Sequence, residues 1–142
     1  MSKWICADAS YILRLLLGGT ESELAAEYWR NWINQGYTIT APTLLYYEIT
    51  NVLFRYHQLG QLDLQDTQQL HAAALELPIV LQGDADLHRA AITIAAEFNL
   101  SASYDAHYLA IAQRLKCELW TADRKLVNQV SSRFVELKLF EA

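Results

Sequence analysis

Four carboxylates stand at positions where they could share one chemical site. Two follow predicted strands, one lies in the first turn of a predicted helix, and one lies within another helix. These residues are Asp8, Asp123, Asp105 and Glu48. Oxygen ligands suit hard cations such as Mg²⁺ and Mn²⁺, and Mg²⁺ usually binds one or two carboxylates while keeping several waters. We therefore predict a divalent cation site, with Asp8 and Asp105 as the first candidates for direct or water-bridged ligands.

Clustered acids repel one another when no cation is present, and this repulsion raises their pKa values. We therefore expect added cation to stabilise the protein. Two hydroxyl side chains accompany the acids, because Ser10 lies two residues after Asp8 and Thr121 two residues before Asp123. A hydroxyl donates and accepts hydrogen bonds, so each could orient a carboxylate or a bound water. We predict supporting roles for both.

Glu48 shares one face of its predicted helix with two other polar side chains. Asn51 comes three residues after Glu48 and Arg55 seven residues after it, spacings that place all three on one side of a helix. The rest of this helix is apolar, and a buried charge needs a partner. We therefore expect the carboxylate of Glu48 and the amide of Asn51 to project toward the sheet edge or into a cleft. A simple salt bridge from Glu48 to Arg55 or to another cation is the alternative.

Short apolar or β-branched stretches supply the strands that must position these acids. The strands are predicted at residues 3–7, 37–40, 77–81, 118–121 and 134–139. Pro78 cannot donate a backbone hydrogen bond, so the third stretch is expected at a sheet edge or at a strand start.

Helical periodicity and capping residues separate the strands. The helices are predicted at residues 11–17, 20–36, 42–59, 63 onward, 84–98, 104–115 and 123 onward. The predicted N-caps are Asp63, Asp84 and Asp123. Thr20 and Glu23 have the spacing of a capping box, and Pro42 is predicted in the first turn of the third helix.

Strands that alternate with helices predict an α/β fold, a three-layer α/β/α sandwich around a mostly parallel sheet of four to five strands. In such sheets ligands bind beyond the carboxyl ends of the strands, where the winding reverses. Asp8 and Asp123 follow predicted strands, which places them at this edge. The chain is predicted to form one domain over residues 1–142.

The composition excludes several classes of protein. A hydrophobic fraction of 53% with 19% charged residues is incompatible with intrinsic disorder. The apolar runs are too short to span a membrane, and the N-terminus does not resemble a secretory signal, so we expect a cytoplasmic protein. The net charge of −5 means that a polyanion would have to meet a local basic patch. Cys6 and Cys117 lack metal-ligand spacing and are predicted to be buried thiols.

Four segments contain the acids and their neighbours. They are Asp8–Ser10, Glu48–Leu53, Tyr104–Ala112 and Trp120–Leu126. In order and spacing they resemble the PIN-domain ribonucleases, especially the VapC-type toxins, over essentially the whole chain. The resemblance implies an α/β/α sandwich, a Mg²⁺ or Mn²⁺ site, endoribonuclease activity and a homodimer neutralised by a protein antitoxin. It carries over Asp8, Glu48, Asp105 and Asp123 as the catalytic and metal-binding set, with Ser10, Asn51 and Thr121 as supporting residues.

The function expected on these grounds is metal-dependent hydrolysis of RNA phosphodiester bonds by the toxin of a toxin–antitoxin pair. Arg55 and Arg124 are the expected phosphate contacts, because a guanidinium can bind a phosphate through two hydrogen bonds. The residues do not determine which acid serves as the base.

Two alternatives remain open at this point. Asp105 and Asp123 could be helix-terminal acids in a non-catalytic PIN-like interaction module. The aromatic residues that such a module could present are Tyr28, Trp29, Trp32, Tyr46 and Tyr47. An aspartate-phosphorylated α/β domain also places an acid after its first strand. It is disfavoured, because a dehalogenase-like site needs a second acid where Ser10 stands.

Overall fold

The structure is a computed structural model that describes residues 3–130, 133–134 and 136–141. The strands are β1 Trp4–Ala7, β2 Thr38–Pro42, β3 Ile79–Gln82, β4 Glu118–Thr121 and β5 Leu137–Leu139. The helices are α1 Ala9–Leu16, α2 Thr20–Asn34, α3 Leu44–Gln58, α4 Leu64–Leu75, α5 Ala85–Glu97, α6 Tyr104–Leu115 and α7 Arg124–Val130. The predicted last strand, 134–139, includes Val135, which lies outside the described residues.

The five strands form one parallel sheet in the order β3-β2-β1-β4-β5. The predicted α/β class is therefore confirmed. Because β-α-β connections are right-handed, α1 to α4 cover one face and α5 to α7 cover the other. The direction of winding reverses between β1 and β4, and in open parallel sheets ligands bind beyond the strand ends at such a point. β3 lies at a sheet edge, as the proline before it predicts.

Three aspartate caps are confirmed. Asp63 and Asp84 each accept a hydrogen bond from a backbone N–H three residues later, at 2.7 and 3.2 Å. Asp123 does the same at the start of α7, at 3.3 Å from the N–H of Leu126. A short polar side chain followed by an apolar period is a local signal, so it predicts a helix start without knowledge of the rest of the fold.

Two other predicted helix starts are wrong. Gly19, not Thr20, is the N-cap of α2, and no side chain caps this helix. Gly19 has a φ of +89°, which glycine adopts readily, and this lets the chain turn into the helix at Gly19. Thr20 is then the first helical residue, whereas a capping box would need it to be the N-cap. Pro42 ends β2 instead of beginning α3, and it pairs with Gln82 after the pairing of β2 with β1 has ended. The missing N–H of Pro42 therefore costs no bond to β1.

The core between α1, α2 and the sheet is rich in aromatic residues. The ring centroids of Tyr28 and Trp120 are 4.9 Å apart, and those of Tyr11 and Trp32 are 5.4 Å apart. Most of the aromatic residues of α2 thus pack internally. Cys6 and Cys117 are buried free thiols, as predicted. Within the described part of the chain, no helix is both long and apolar enough to cross a membrane.

Candidate active site

Asp8 stands between β1 and α1 and is almost completely buried, with 6% of its surface exposed. Its Oδ1 accepts a hydrogen bond from the backbone N–H of Tyr11 at 3.0 Å, so Asp8 is the N-cap of α1. The same oxygen accepts a hydrogen bond from the Ser10 hydroxyl at 2.6 Å. These bonds fix the position of the carboxylate at the end of the central strand.

Ser10 links Asp8 to the end of β4. The Ser10 hydroxyl donates a hydrogen bond to the Asp8 carboxylate, and its oxygen lies 3.2 Å from the hydroxyl oxygen of Thr121. Oγ of Ser10 also accepts a hydrogen bond from the N–H of Ala122 at 2.8 Å, and Oγ1 of Thr121 accepts one from Asp123 at 3.0 Å. Both hydroxyls therefore join the ends of β1 and β4.

Burial, with a smaller contribution from the charge of Asp105, raises the pKa of Asp8 to about 6. The hydrogen bonds from Ser10, Thr121 and Tyr11 act in the opposite direction, since they stabilise the ionised form. Burial has the larger effect. The carboxylate is thus held in a place where its charge is not compensated by a positive group.

Glu48 reaches the same edge of the sheet from α3. Its Oε1 accepts a hydrogen bond from the Tyr108 hydroxyl at 2.6 Å, a contact between helices on opposite faces of the sheet. Burial and the charge of Asp105 raise the pKa of Glu48, while the bond from Tyr108 lowers it. We did not predict a role for Tyr108. It lies three residues after Asp105 on α6, and this same-face spacing is the signal that could have identified it.

Asp105 is the carboxylate whose charge couples the other three. Burial raises its pKa, and the charge of Asp123 raises it further. The charge of Asp105 in turn raises the pKa values of Asp8 and Glu48. The structure therefore brings all four predicted acids to one end of the sheet, with Asp105 as their common neighbour.

The family model of the PIN domain matches residues 5–130. The chain belongs to the PIN domain family. None of the curated proteins matches the chain significantly.

Three solved structures share the fold of this PIN domain. PAE2754 from Pyrobaculum aerophilum has a TM-score of 0.66 and 22% identity, and the match covers 90% of this chain and 84% of that chain. A toxin–antitoxin complex from Klebsiella pneumoniae has a TM-score of 0.64 and 18% identity, covering 96% and 98%. VapC20 from Mycobacterium tuberculosis, a sarcin–ricin loop cleaving toxin, has a TM-score of 0.64 and 17% identity, covering 93% and 97%.

The acids of this PIN domain fit a hard divalent cation in their chemistry. All four are oxygen donors, and within the described ranges none forms a salt bridge to a basic side chain. No three acidic, histidine or cysteine side chains among the described residues converge closely enough to form a complete metal cage. Mg²⁺ does not need one, because it usually binds one or two carboxylates and retains water.

The remaining predicted residues lie outside this cluster. Asn51 is exposed and lines a groove between α3 and α4, and its supporting role stays a prediction. Arg55 is also exposed, and seven residues of helix place it about 10 Å along α3 from Glu48. The alternative of a salt bridge between Arg55 and Glu48 is therefore not realised. Arg124 forms a 2.8 Å ion pair with Glu141 beside the ends of β4 and β5.

Proposed function

We propose that the protein is a metal-dependent endoribonuclease, the toxin of a toxin–antitoxin pair. The observation that carries this proposal is the shared site of Asp8, Glu48, Asp105 and Asp123. Burial raises the pKa values of the first three, and no basic side chain in the described structure pairs with any of the four. Membership of the PIN domain family and the fold of VapC20, described as a toxin that cleaves the sarcin–ricin loop, support the same function.

Each acid has a position suited to holding Mg²⁺ or Mn²⁺. Asp8 is fixed by Ser10 and the start of α1, and Glu48 is fixed by Tyr108. The charge of Asp105 raises the pKa values of both Asp8 and Glu48, so Asp105 is close to each of them. Asp105 and Asp8 are therefore the preferred direct or water-bridged ligands. When bound, the cation supplies Lewis-acid polarisation of a phosphoryl oxygen and a lower pKa for its bound water. The two hydroxyls, Ser10 and Thr121, keep the ends of β1 and β4 in register.

The arginines beside the acids are suited to binding phosphate. A polar cavity of about 260 Å³ next to Ala122 is lined by Arg14 and Arg124. Each is paired with a glutamate, Arg14 with Glu21 at 2.6 Å and Arg124 with Glu141 at 2.8 Å. Such exposed pairs are weak, so a phosphate can replace the glutamates. Arg55 could contact only substrate that extends along α3.

A protein antitoxin and a second copy of the chain are the proposed partners. The toxin–antitoxin complex from Klebsiella pneumoniae, which shares the fold, supports the first of them. The α3 and α4 helices border a groove of about 440 Å³ lined by Phe54 and Leu75. These side chains are 52% and 54% exposed, and exposed apolar surface of this kind marks protein contacts.

The test is cleavage of total cellular RNA by purified protein with Mg²⁺ or Mn²⁺, with chelator, and with Asp8→Asn in parallel. We expect discrete fragments that need the cation and disappear in the variant. Asn keeps the size of the side chain and its capping ability, so the fold should be retained.

Asp84→Asn is the matched control, because it also changes an N-capping aspartate, at the start of α5. It should cleave RNA as the unmodified protein does. Cleavage that survives in Asp8→Asn, or that continues in chelator, would contradict the proposal.

A further inference from the structure

A second cavity opens at the same end of the sheet, beside the ends of β2 and β3. Its volume is about 240 Å³, and its walls come from α3, α5 and α6. Tyr47 and Tyr104 line it and are 77% and 62% exposed, more than any other aromatic side chain in the described ranges. The cavity is therefore bordered by two aromatic rings that pack against little else.

The polar wall of this cavity is a pair of histidines. Nδ1 of His107 lies 2.8 Å from the Ser103 carbonyl oxygen, which can only accept, so Nδ1 carries the hydrogen. In the neutral ring Nε2 of His107 is then an acceptor, and Nδ1 of His88, 2.9 Å away, donates to it. This arrangement leaves Nε2 of His88 as a hydrogen-bond acceptor. The cavity thus combines aromatic faces with polar groups.

No lysine or arginine is among the described side chains that line this cavity. The arginines nearby are engaged elsewhere: Arg114 contacts Asp84 at 2.8 Å and Arg89 contacts Asp86 at 2.6 Å. A phosphate would therefore find no cation here. A planar uncharged group with hydrogen-bonding edges matches the walls better, and a nucleobase is such a group.

The cavity and the acidic site use neighbouring positions on α3 and α6. Tyr47 directly precedes Glu48, and Tyr104 directly precedes Asp105. Across the sheet, the gap between β2 and β3 is two strand spacings from the gap between β1 and β4, which is about 10 Å. At about 3.4 Å per nucleotide in a stacked strand, this distance corresponds to about three nucleotides. The arginine-lined cavity lies on the opposite side of the acids, beside β5.

We propose that the cavity between Tyr47 and Tyr104 holds an unpaired base of the RNA, within about three nucleotides of the cleaved bond. The proposal rests on the proposed function and adds a base-binding subsite to it. Single-stranded RNA is commonly held by stacking of bases on tyrosine and histidine side chains and by hydrogen bonds to the base edges. The subsite, and not the acids, then selects which sequence or loop is cut.

The experiment measures binding of a short, labelled, single-stranded RNA of mixed sequence by fluorescence anisotropy. Ca²⁺ replaces Mg²⁺ to neutralise the acids, and a gel of the recovered RNA checks that it stays intact. Tyr47→Ala and Tyr104→Ala should each weaken binding about 5- to 150-fold, the range expected for loss of one stacked base. Tyr47→Phe and Tyr104→Phe keep the stacking face and should bind nearly as tightly as the unmodified protein.

A second series of RNAs lacks one base at a time along the strand. In the unmodified protein, one abasic position should weaken binding as much as the alanine variants do. In Tyr47→Ala and Tyr104→Ala that same position should matter little, because the partner of the base is already gone. Phe54→Ala is the matched control: Phe54 is 52% exposed on α3 and does not line this cavity.

Gly83→Ala tests the shape of the cavity without removing a ring. A methyl group at Gly83 would lie 2.8 Å from Cγ2 of Thr43, so the Thr43 side chain must move. Both residues line the cavity, and its shape therefore changes. We expect weaker RNA binding with an unchanged response to Mg²⁺ in thermal melting.

Equal penalties from the abasic position in the unmodified protein and in the tyrosine variants would overturn the subsite. Unchanged RNA affinity in both alanine variants would also overturn it, and the exposed rings would then be assigned to a protein partner. RNA binding is measured without cleavage. The binding result can therefore be interpreted even if the protein proves not to be a nuclease. Cleavage with Mg²⁺ but no base dependence would overturn the subsite alone.

Discussion

Asp8 and Asp84 occupy equivalent places in the fold and have opposite properties. Each follows a parallel strand, and each accepts a hydrogen bond from the backbone of the helix that begins there. Asp8 is 6% exposed, whereas the side chain of Asp84 is 50% exposed. Asp84 has an arginine partner, since Arg114 contacts both of its carboxylate oxygens at 2.8 Å.

The electrostatic consequences differ in sign. The hydrogen bond from Arg114 holds the pKa of Asp84 well below its ordinary value. Burial raises the pKa of Asp8, and the nearby charge of Asp105 adds to the rise. The capping geometry is common to both residues and therefore does not mark a functional site. Burial of a carboxylate among other acids, without a basic partner, is what distinguishes the end of β1 from the end of β3.

The sharpest test of this comparison is the activity of matched variants. Asp8→Asn should lower metal-dependent RNA cleavage by at least about 100-fold, because it removes a charged oxygen ligand. Asp84→Asn should change cleavage less than about twofold, since a surface cap plays no part in it. Initial rates on the same RNA, with thermal melting to verify folding, measure both. Similar losses in the two variants would remove the distinction.

The dependence of stability on pH should also have opposite signs at the two residues. The pKa of Asp8 rises from 3.8 to about 6 in the folded protein, and one pKa unit corresponds to about 1.4 kcal/mol. The unfolded chain therefore ionises first as the pH rises. Asp8 lowers the metal-free unfolding free energy by about 2.4 kcal/mol between pH 4 and pH 7. Asp84, whose pKa falls on folding, stabilises the protein above its ordinary pKa, and this contribution is lost on acidification.

Urea unfolding in chelator, at a series of pH values, tests this prediction. Asp8→Asn should be more stable than the unmodified protein at pH 7, and the difference should vanish near pH 4. Glu48 and Asp105 have raised pKa values and remain in the variant, so some loss of stability toward neutral pH persists. A variant that is less stable at pH 7 would show that the Asp8 charge is compensated in the folded protein.

Cation binding should compensate the charge of Asp8, as Arg114 compensates the charge of Asp84. Mg²⁺ or Mn²⁺ at about 100 times its Kd stabilises a protein by about 2.7 kcal/mol, and we expect a rise of this size in thermal melting. The rise should be absent in Asp8→Asn and present in Asp84→Asn. A monovalent salt at equal ionic strength is the control, because general screening affects all three proteins alike. A rise that persists in Asp8→Asn would place the cation elsewhere.

The sequence predicts the surroundings of Asp84 better than those of Asp8. The reason is that the contacts of Asp84 with its helix are local in sequence, whereas the site around Asp8 depends on residues far along the chain. The cap at Asp84 depends on residues up to three positions away, so it is visible in the sequence. The burial of Asp8 depends on Ser10 and on β4, and Thr121 lies 111 residues from Ser10. Likewise, Tyr108 and Glu48 are 60 residues apart, and only the packing of α6 against the sheet brings them together. Sequence spacing and the family resemblance identified the four acids together with Ser10 and Thr121, but not the contact of Tyr108 with Glu48.

The smallest expected effect concerns the ion pair at the end of β3. Asp84→Asn keeps the capping oxygen and removes the charge that faces Arg114, so it isolates the ion pair from the cap. An exposed pair contributes little, and we expect Tm to fall by a few degrees at most. The fall should disappear in 1 M NaCl, where the Debye length is about 3 Å. A large fall in Tm that salt does not change would mean that Asp84 is held by its surroundings as firmly as Asp8. The difference in exposure would then not distinguish the two aspartates.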